Sequence, residues 1–265
     1  MNTKYYADLA ELALAGYGQF KVSGPTPISD LTLLNGDKHG FTLSQAERFA
    51  SEFNTALATF NDATSATGSG LTSLDLTTFV GSATASRNQL FLAIRGTQQI
   101  DRGIEPNDLQ ANLEIVQFRG AATQIVAMYN WWQRASTLGR MDLAQYRIVS
   151  LQLGDPRPSG STQLSGIRAN PVNSWPAGDY LIRLPDALST GELANALSVD
   201  PDAKVVVVGS SMGGHLAMAF AGLFPSQVEQ AMAFNAPGFP QNDYVRQLFA
   251  GLGGAASHSI VRCAI

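Results

Sequence analysis

The sequence predicts an α/β chain with a mostly parallel central sheet flanked by helices. Three observations carry that expectation. The segment 204–209 holds four consecutive valines, the run required of a strand buried on both faces of a parallel sheet. Helical and strand-like segments alternate through the second half of the chain. Among 265 residues, 45% are hydrophobic and 14% charged, which is material for one sizeable core and too little charge for a disordered chain. At about 150 residues per domain the length fits one large domain or two small ones. The reading adopted is a single domain over 1–265, with an irregular insertion at 154–178.

The elements follow from apolar spacing and turn residues. Residues 5–16 recur apolar at helical spacing and stop at Gly16. Residues 23–41, rich in Pro, Gly, Asn and Asp, read as loop. A second helix opens at Thr42, and its stripe of Leu43, Ala46, Phe49, Ala50, Phe53, Leu57 and Phe60 carries it to about residue 60. Residues 61–73 read as a flexible connection. Leu76–Ser82 and Gln89–Ile94 read as strands of a hairpin turning at Ser86-Arg87-Asn88. Asp108–Ala135 is predicted mostly helical, Tyr146–Leu153 a strand, and 185–198 a helix. The valine strand is followed by a helix over Met212–Leu223, a buried strand over Gln230–Phe234 and a last strand over 259–265.

Composition also excludes functions. Seventeen Lys and Arg against 21 Asp and Glu give a net charge of −4, which offers no basic excess to neutralise the phosphates of a nucleic acid. The lone Cys263 precludes an internal disulfide and a cysteine metal cluster, and three histidines (His39, His215 and His258) are too few for a histidine-rich metal site. The N-terminus lacks an apolar segment followed by a small-residue cleavage site, and no run of 18 apolar residues suggests a membrane span.

The sharpest chemical signal is Gly209-Ser210-Ser211-Met212-Gly213-Gly214. It fits the G-x-S-x-G pattern, in which a strand turns abruptly into a helix and presents a serine hydroxyl at the apex. Glycines on either side remove Cβ atoms from a tight turn, and the new helix points its free N–H groups at any anion formed there. Ser211 is the candidate nucleophile, with the backbone N–H of Met212 as one oxyanion donor. A second N–H is needed from the loop after an earlier strand, and Thr97, ending Phe91-Leu92-Ala93-Ile94-Arg95-Gly96-Thr97, supplies it.

The pairing of residues 91–97 with 205–217 resembles the class 3 lipases, a branch of the α/β-hydrolase fold. Ala231–Gly238, the early helix over 5–13 and Asn107–Leu113 fit the same layout, so the resemblance is loose over 5–240 and close over about thirty residues. It implies Ser211 as nucleophile, Thr97 and Met212 as oxyanion donors, esters of lipids as substrates, transient contact with a lipid surface and no cofactor. Ser210 stands where the family commonly has His.

The rest of a triad is harder to place. After Ser211 the acids are Glu229 and Asp243 and the histidines His215 and His258. His215 lies in the helix leaving the turn and reads as a packed or half-exposed helix residue. Glu229 precedes its strand, at the wrong end of the sheet. Asp243 lies in the loop after that strand, at the right end of the sheet, and is the candidate orienting acid. His258 is the candidate base by chain order, although it precedes strand 259–265. The chain is therefore expected to be an incomplete catalytic domain of a longer protein, with secretion independent of an N-terminal signal favoured over a cytoplasmic location. The two functional readings are a serine ester hydrolase, with a lid over 154–178 or 99–118, and a hydrolase-like module that binds without turnover.

Overall fold

The computed structural model describes residues 3–18, 20, 24–33, 40–62, 72, 74–82, 89–97, 99–100, 103–104, 111–115, 117, 120–152, 154–164, 178–198 and 204–254. The elements are α1 (Thr3–Ala15), β1 (Gly24–Pro25), α2 (Ile28–Leu33), α3 (Leu43–Glu52), β2 (Thr55–Asn61), β3 (Asp75–Val80), β4 (Leu90–Ile94), β5 (Gln99–Ile100) and β6 (Gly103–Ile104). A short helical segment at 111–115 precedes α4 (Ala122–Ser136), β7 (Asp142–Leu151), β8 (Thr162–Gln163), β9 (Gly178–Leu188) and α5 (Ala194–Ser198). The chain continues through β10 (Val205–Ser210), α6 (Met212–Leu223), β11 (Val228–Phe234) and α7 (Asp243–Gly251).

The expectation of a mostly parallel, α/β-hydrolase-like sheet is overturned. The six-stranded sheet runs β1-β2-β3-β4-β10-β11. Its first four strands pair antiparallel, and only β4, β10 and β11 are parallel neighbours. A second sheet, β7-β9-β8, is wholly antiparallel. Parallel pairing needs a long crossover, and consecutive strands without one pair antiparallel. The valines reported correctly on their own strand but not on the rest of the sheet.

The local misreadings have physical causes. The predicted second helix stops at Glu52, where Phe53 closes it. Residues 55–61 are instead β2, with Ala56, Ala58 and Phe60 buried in alternation. Leu57 and Phe60 mimicked a helical stripe because both faces of this strand carry apolar residues. The start of α3 is sharper: Thr42 accepts from the N–H of Gln45, and the Gln45 side chain accepts from the Thr42 N–H at 2.9 Å. The predicted helix at 185–198 is mostly wrong, because 178–188 is a strand and only 194–198 is helical. Pro185 fits there because β8 pairs with β9 only at Tyr180 and Leu181, leaving an edge where no amide is required. The loop at 23–41 contains β1 and α2, and the stretch 154–178 contributes β8. The turn at 86–88, residues 165–177 and the predicted strand 259–265 lie outside the described residues.

The six-stranded sheet is buried on both faces. Val205 and Val207 pack with Leu92, Ile94, Ile125, Leu216 and Phe220, on the side of α4 and α6. Val206 and Val208 pack with Leu9, Leu12, Phe91 and Met232, on the side of α1 and α3. Each fully buried valine is worth about 1.5–3 kcal/mol relative to exposure, so β10 is firmly anchored where it leads into a strained turn. No helix among the described residues is long and apolar enough to cross a membrane.

Candidate active site

Strand β10 ends at Ser210 and α6 begins at Met212, so one residue makes the reversal. Ser211 does so at φ 55° and ψ −124°, a conformation that costs an L-residue on the order of 1–3 kcal/mol. Its N–H donates to the Phe234 carbonyl at 2.8 Å, tying the turn to the end of β11. Its carbonyl accepts from the His215 N–H at 3.1 Å, which starts α6. The residue is half-buried. As the first residue of the helix, Met212 has no intrahelical acceptor for its N–H, and the helix dipole adds partial positive charge there.

The glycines of the motif answer to close approach rather than to left-handed backbone. A Cβ on Gly209 would stand 2.2 Å from the Gly213 carbonyl carbon, and one on Gly213 would stand 2.2 Å from the Ile94 carbonyl oxygen. A Cβ on Gly214 would stand 2.8 Å from the Ala236 Cβ. The start of α6 is therefore seated directly against the end of β4.

That contact also brings the Thr97 segment to the serine end of the sheet. A Cβ on Gly96 would lie 2.5 Å from the Ser210 carbonyl oxygen and 2.4 Å from the Tyr17 hydroxyl. The chain leaving β4 thus passes over the residue before the candidate nucleophile. Arg95 fixes this segment: its guanidinium is buried and pairs with Asp75 at 2.8 Å, and its N–H donates to the Asp75 carbonyl at 3.0 Å. Asn61 donates to the same carboxylate at 3.3 Å. The Thr97 hydroxyl accepts from Asn112 Nδ2 at 3.2 Å. Sequence reasoning noted the segment 107–113 but did not single out Asn112, whose contact with Thr97 comes from the helical segment at 111–115.

His215 is fully buried. Its Nδ1 lies 2.9 Å from the Pro237 carbonyl oxygen and its Nε2 3.0 Å from that of Gly120. Burial pushes its pKa below the ordinary 6.5, opposed by the two carbonyls. Asp243 is the first residue of α7 rather than a loop residue, and it is exposed and ion-paired with Arg246 one turn on. The cap of α7 is Asn242, which accepts from the Val245 N–H at 3.0 Å. Glu229 is exposed near the start of β11, at the opposite end of that strand from Phe234. His258 lies outside the described residues. The structure thus brings Thr97 and Ser211 to one end of the sheet, and it engages His215 and Asp243 with other partners.

A cavity of 290 Å³ lies at the other end of β4 and β11, lined by Lys4, Asp8, Glu52, Gln89 and Glu229 among others. Among the described residues no group of three or more His, Cys, Asp or Glu is arranged to hold a metal ion. No family model and no curated protein matches the chain.

Proposed function

We propose that the chain is a serine ester hydrolase of the class 3 lipase kind, acting on carboxylic esters of lipids through an acyl-Ser211 intermediate. The observation that supports it most is the backbone of Ser211, a strained residue at a strand-to-helix reversal, with Gly209 and Gly213 two residues to either side at positions where a Cβ would stand 2.2 Å from backbone. Strain of this kind, held by surrounding structure, concentrates where a side chain has to be presented.

In the proposed reaction the Ser211 oxygen attacks the ester carbonyl while a base takes its proton. The carbonyl oxygen becomes an oxyanion, met by the N–H groups of Met212 and Thr97. Donors of this type are each worth about 10²–10³ in rate. Collapse expels the alcohol and leaves the acyl-serine, which water then hydrolyses. Of the three histidines in the sequence, His215 is engaged with two carbonyls, and chain order points to His258 as the base. Transient contact with a lipid surface belongs to the same proposal.

The second reading, binding without turnover, draws on the engagement of His215 and Asp243 with partners other than Ser211. Hydrolysis of p-nitrophenyl esters of increasing chain length by the protein and by Ser211→Ala separates the two. The hydrolase reading expects turnover that the substitution abolishes; equal turnover by both, or none by either, overturns it.

A further inference from the structure

Three non-glycine residues of the described chain have left-handed φ: Ala121 at 53°, Ser211 at 55° and Asn235 at 47°. They lie far apart in sequence and adjoin one side chain. His215 Nε2 contacts the carbonyl of Gly120, next to Ala121. Its Nδ1 contacts the carbonyl of Pro237, two residues after Asn235. Its own N–H donates to the carbonyl of Ser211. The Ser211 N–H in turn donates to Phe234, next to Asn235. Each strained residue costs on the order of 1–3 kcal/mol and persists only where its surroundings over-determine it.

The ring is sealed. Phe239 lies over it, ring centres 3.9 Å apart and planes at 30°, and Phe239 also meets Phe249 of α7 edge-on. Gly120 is favoured by its left-handed φ of 67° rather than by space, since a Cβ there would meet Phe239 and Val245 at an ordinary contact distance of 3.5 Å. A neutral imidazole carries one N–H and serves one carbonyl; an imidazolium carries two and serves both. The packed elements supply no compensating carboxylate among the described residues. α6 has no other ionisable side chain, nor does 235–241. Ahead of α4, Glu114 is engaged by Thr123, and Arg134 sits at the far end of that helix. On α7, Asp243 and Arg246 pair with each other on the surface, and Tyr244 is the remaining ionisable group. Glu229 is near the start of β11, and Arg119, the chain neighbour of Gly120, lies outside the described residues.

We propose that His215 is a positioning residue for the Ser211 turn. Its ring clasps the Gly120 segment and the Pro237 segment, the latter continuing from the strand end that accepts the Ser211 N–H, one at a time when neutral and both when protonated. The proposal rests on the serine-hydrolase reading for its effect on reactivity, while the clasp itself stands on the geometry alone. A proton taken up by His215 acts on Ser211 through these two segments, without His215 touching the substrate.

The test measures the rate of Ser211 modification by an alkyl fluorophosphonate across pH 5–8 in the full chain, His215→Phe and His215→Gln. It is paired with ¹⁵N histidine and backbone amide NMR of Ser211→Ala. The expected result is modification slowed about tenfold or more by His215→Phe, since small misplacements near a reacting group cost up to about 10² in rate. His215→Gln, which keeps an N–H donor, recovers most of it. A protonation step below pH 6.5, the ring's ordinary value, is present in the parent and missing from both variants. In Ser211→Ala the His215 ring titrates below 6.5 and moves the amides of Ala121 and Gly238 together. Variants that react as the parent does, or a His215 titrating at 6.5 or above without moving those amides, overturn the clasp and leave the serine reading standing. A parent chain unmodified at Ser211 overturns the serine reading, and the role in reactivity proposed for His215 falls with it.

Discussion

Gly213→Ala puts the account of the turn under direct stress. In an ordinary helix the substitution stabilises by up to about 1 kcal/mol, because alanine has the better helix propensity. Here the added Cβ would stand 2.2 Å from the Ile94 carbonyl oxygen and 2.8 Å from the Arg95 carbonyl carbon, against an ordinary contact of 3.4 Å or more. Both neighbours are backbone, so no rotamer change relieves the clash, and α6 and β4 must separate by about 1 Å. Overpacking of this kind costs typically about 1–3 kcal/mol. With rigid partners the upper part of that range applies, and after the propensity gain the net loss is about 2 kcal/mol. For a chain of this size that lowers Tm by roughly 4–8 °C. The same displacement moves the Met212 and Thr97 N–H groups apart, so ester turnover should fall by about 10². Urea unfolding followed by circular dichroism gives the first quantity and ester hydrolysis the second. Gly238→Ala, where nothing lies within 4 Å of the added atom, serves as the stability control. A Gly213→Ala chain as stable as its parent would refute the claim that α6 is seated against β4.

Other consequences are equally concrete. Ser211→Gly removes the Cβ from a left-handed position and should raise stability by about 1 kcal/mol in thermal unfolding while abolishing turnover; an unchanged Tm would count against backbone strain at the serine. Arg95→Ala strands the Asp75 carboxylate beneath the Thr97 segment and should cost about 3 kcal/mol in urea unfolding; a loss under 1 kcal/mol would mean that water reaches the pair freely. The native chain holds the His215 pKa below the 6.5 of an unfolded histidine. Between those two values the unfolded state binds the extra proton, so this contribution to stability is complete above pH 6.5 and declines as pH falls below it. His215→Gln lacks that dependence, and unfolding curves at pH 5 and 7.5 should show a smaller difference in the variant than in the parent.

The serine turn was legible because its constraint is local. Four valines, two serines and three glycines within ten residues leave few other ways for the backbone to pass, and the structure places a strained Ser211 between a buried strand and a helix. The sheet was not legible, because strand direction depends on which segments pair, and β2 hid inside an apparent helical stripe. Ala56, Ala58 and Phe60 alternate, yet Leu57 on the other face is apolar as well, so two periods compete in seven residues. The contacts of Asn112 and His215 escaped for a different reason. Their partners, the Thr97 hydroxyl and the Gly120 and Pro237 carbonyls, are brought to them by tertiary packing, and no spacing along the chain announces such a contact. The helix Asp243–Gly251 goes unread in the sequence, where Asp243 falls in the loop after strand 230–234.

The central claim is that one hydroxyl at residue 211 is held out as a nucleophile. Peptide mass mapping after exposure to a fluorophosphonate measures this most directly. The account predicts a single phosphonylated serine, at Ser211 and not at Ser210, lost on unfolding in urea and in Gly213→Ala reduced with turnover. Modification at Ser210, or of Ser211 to the same extent in the unfolded chain, would contradict it.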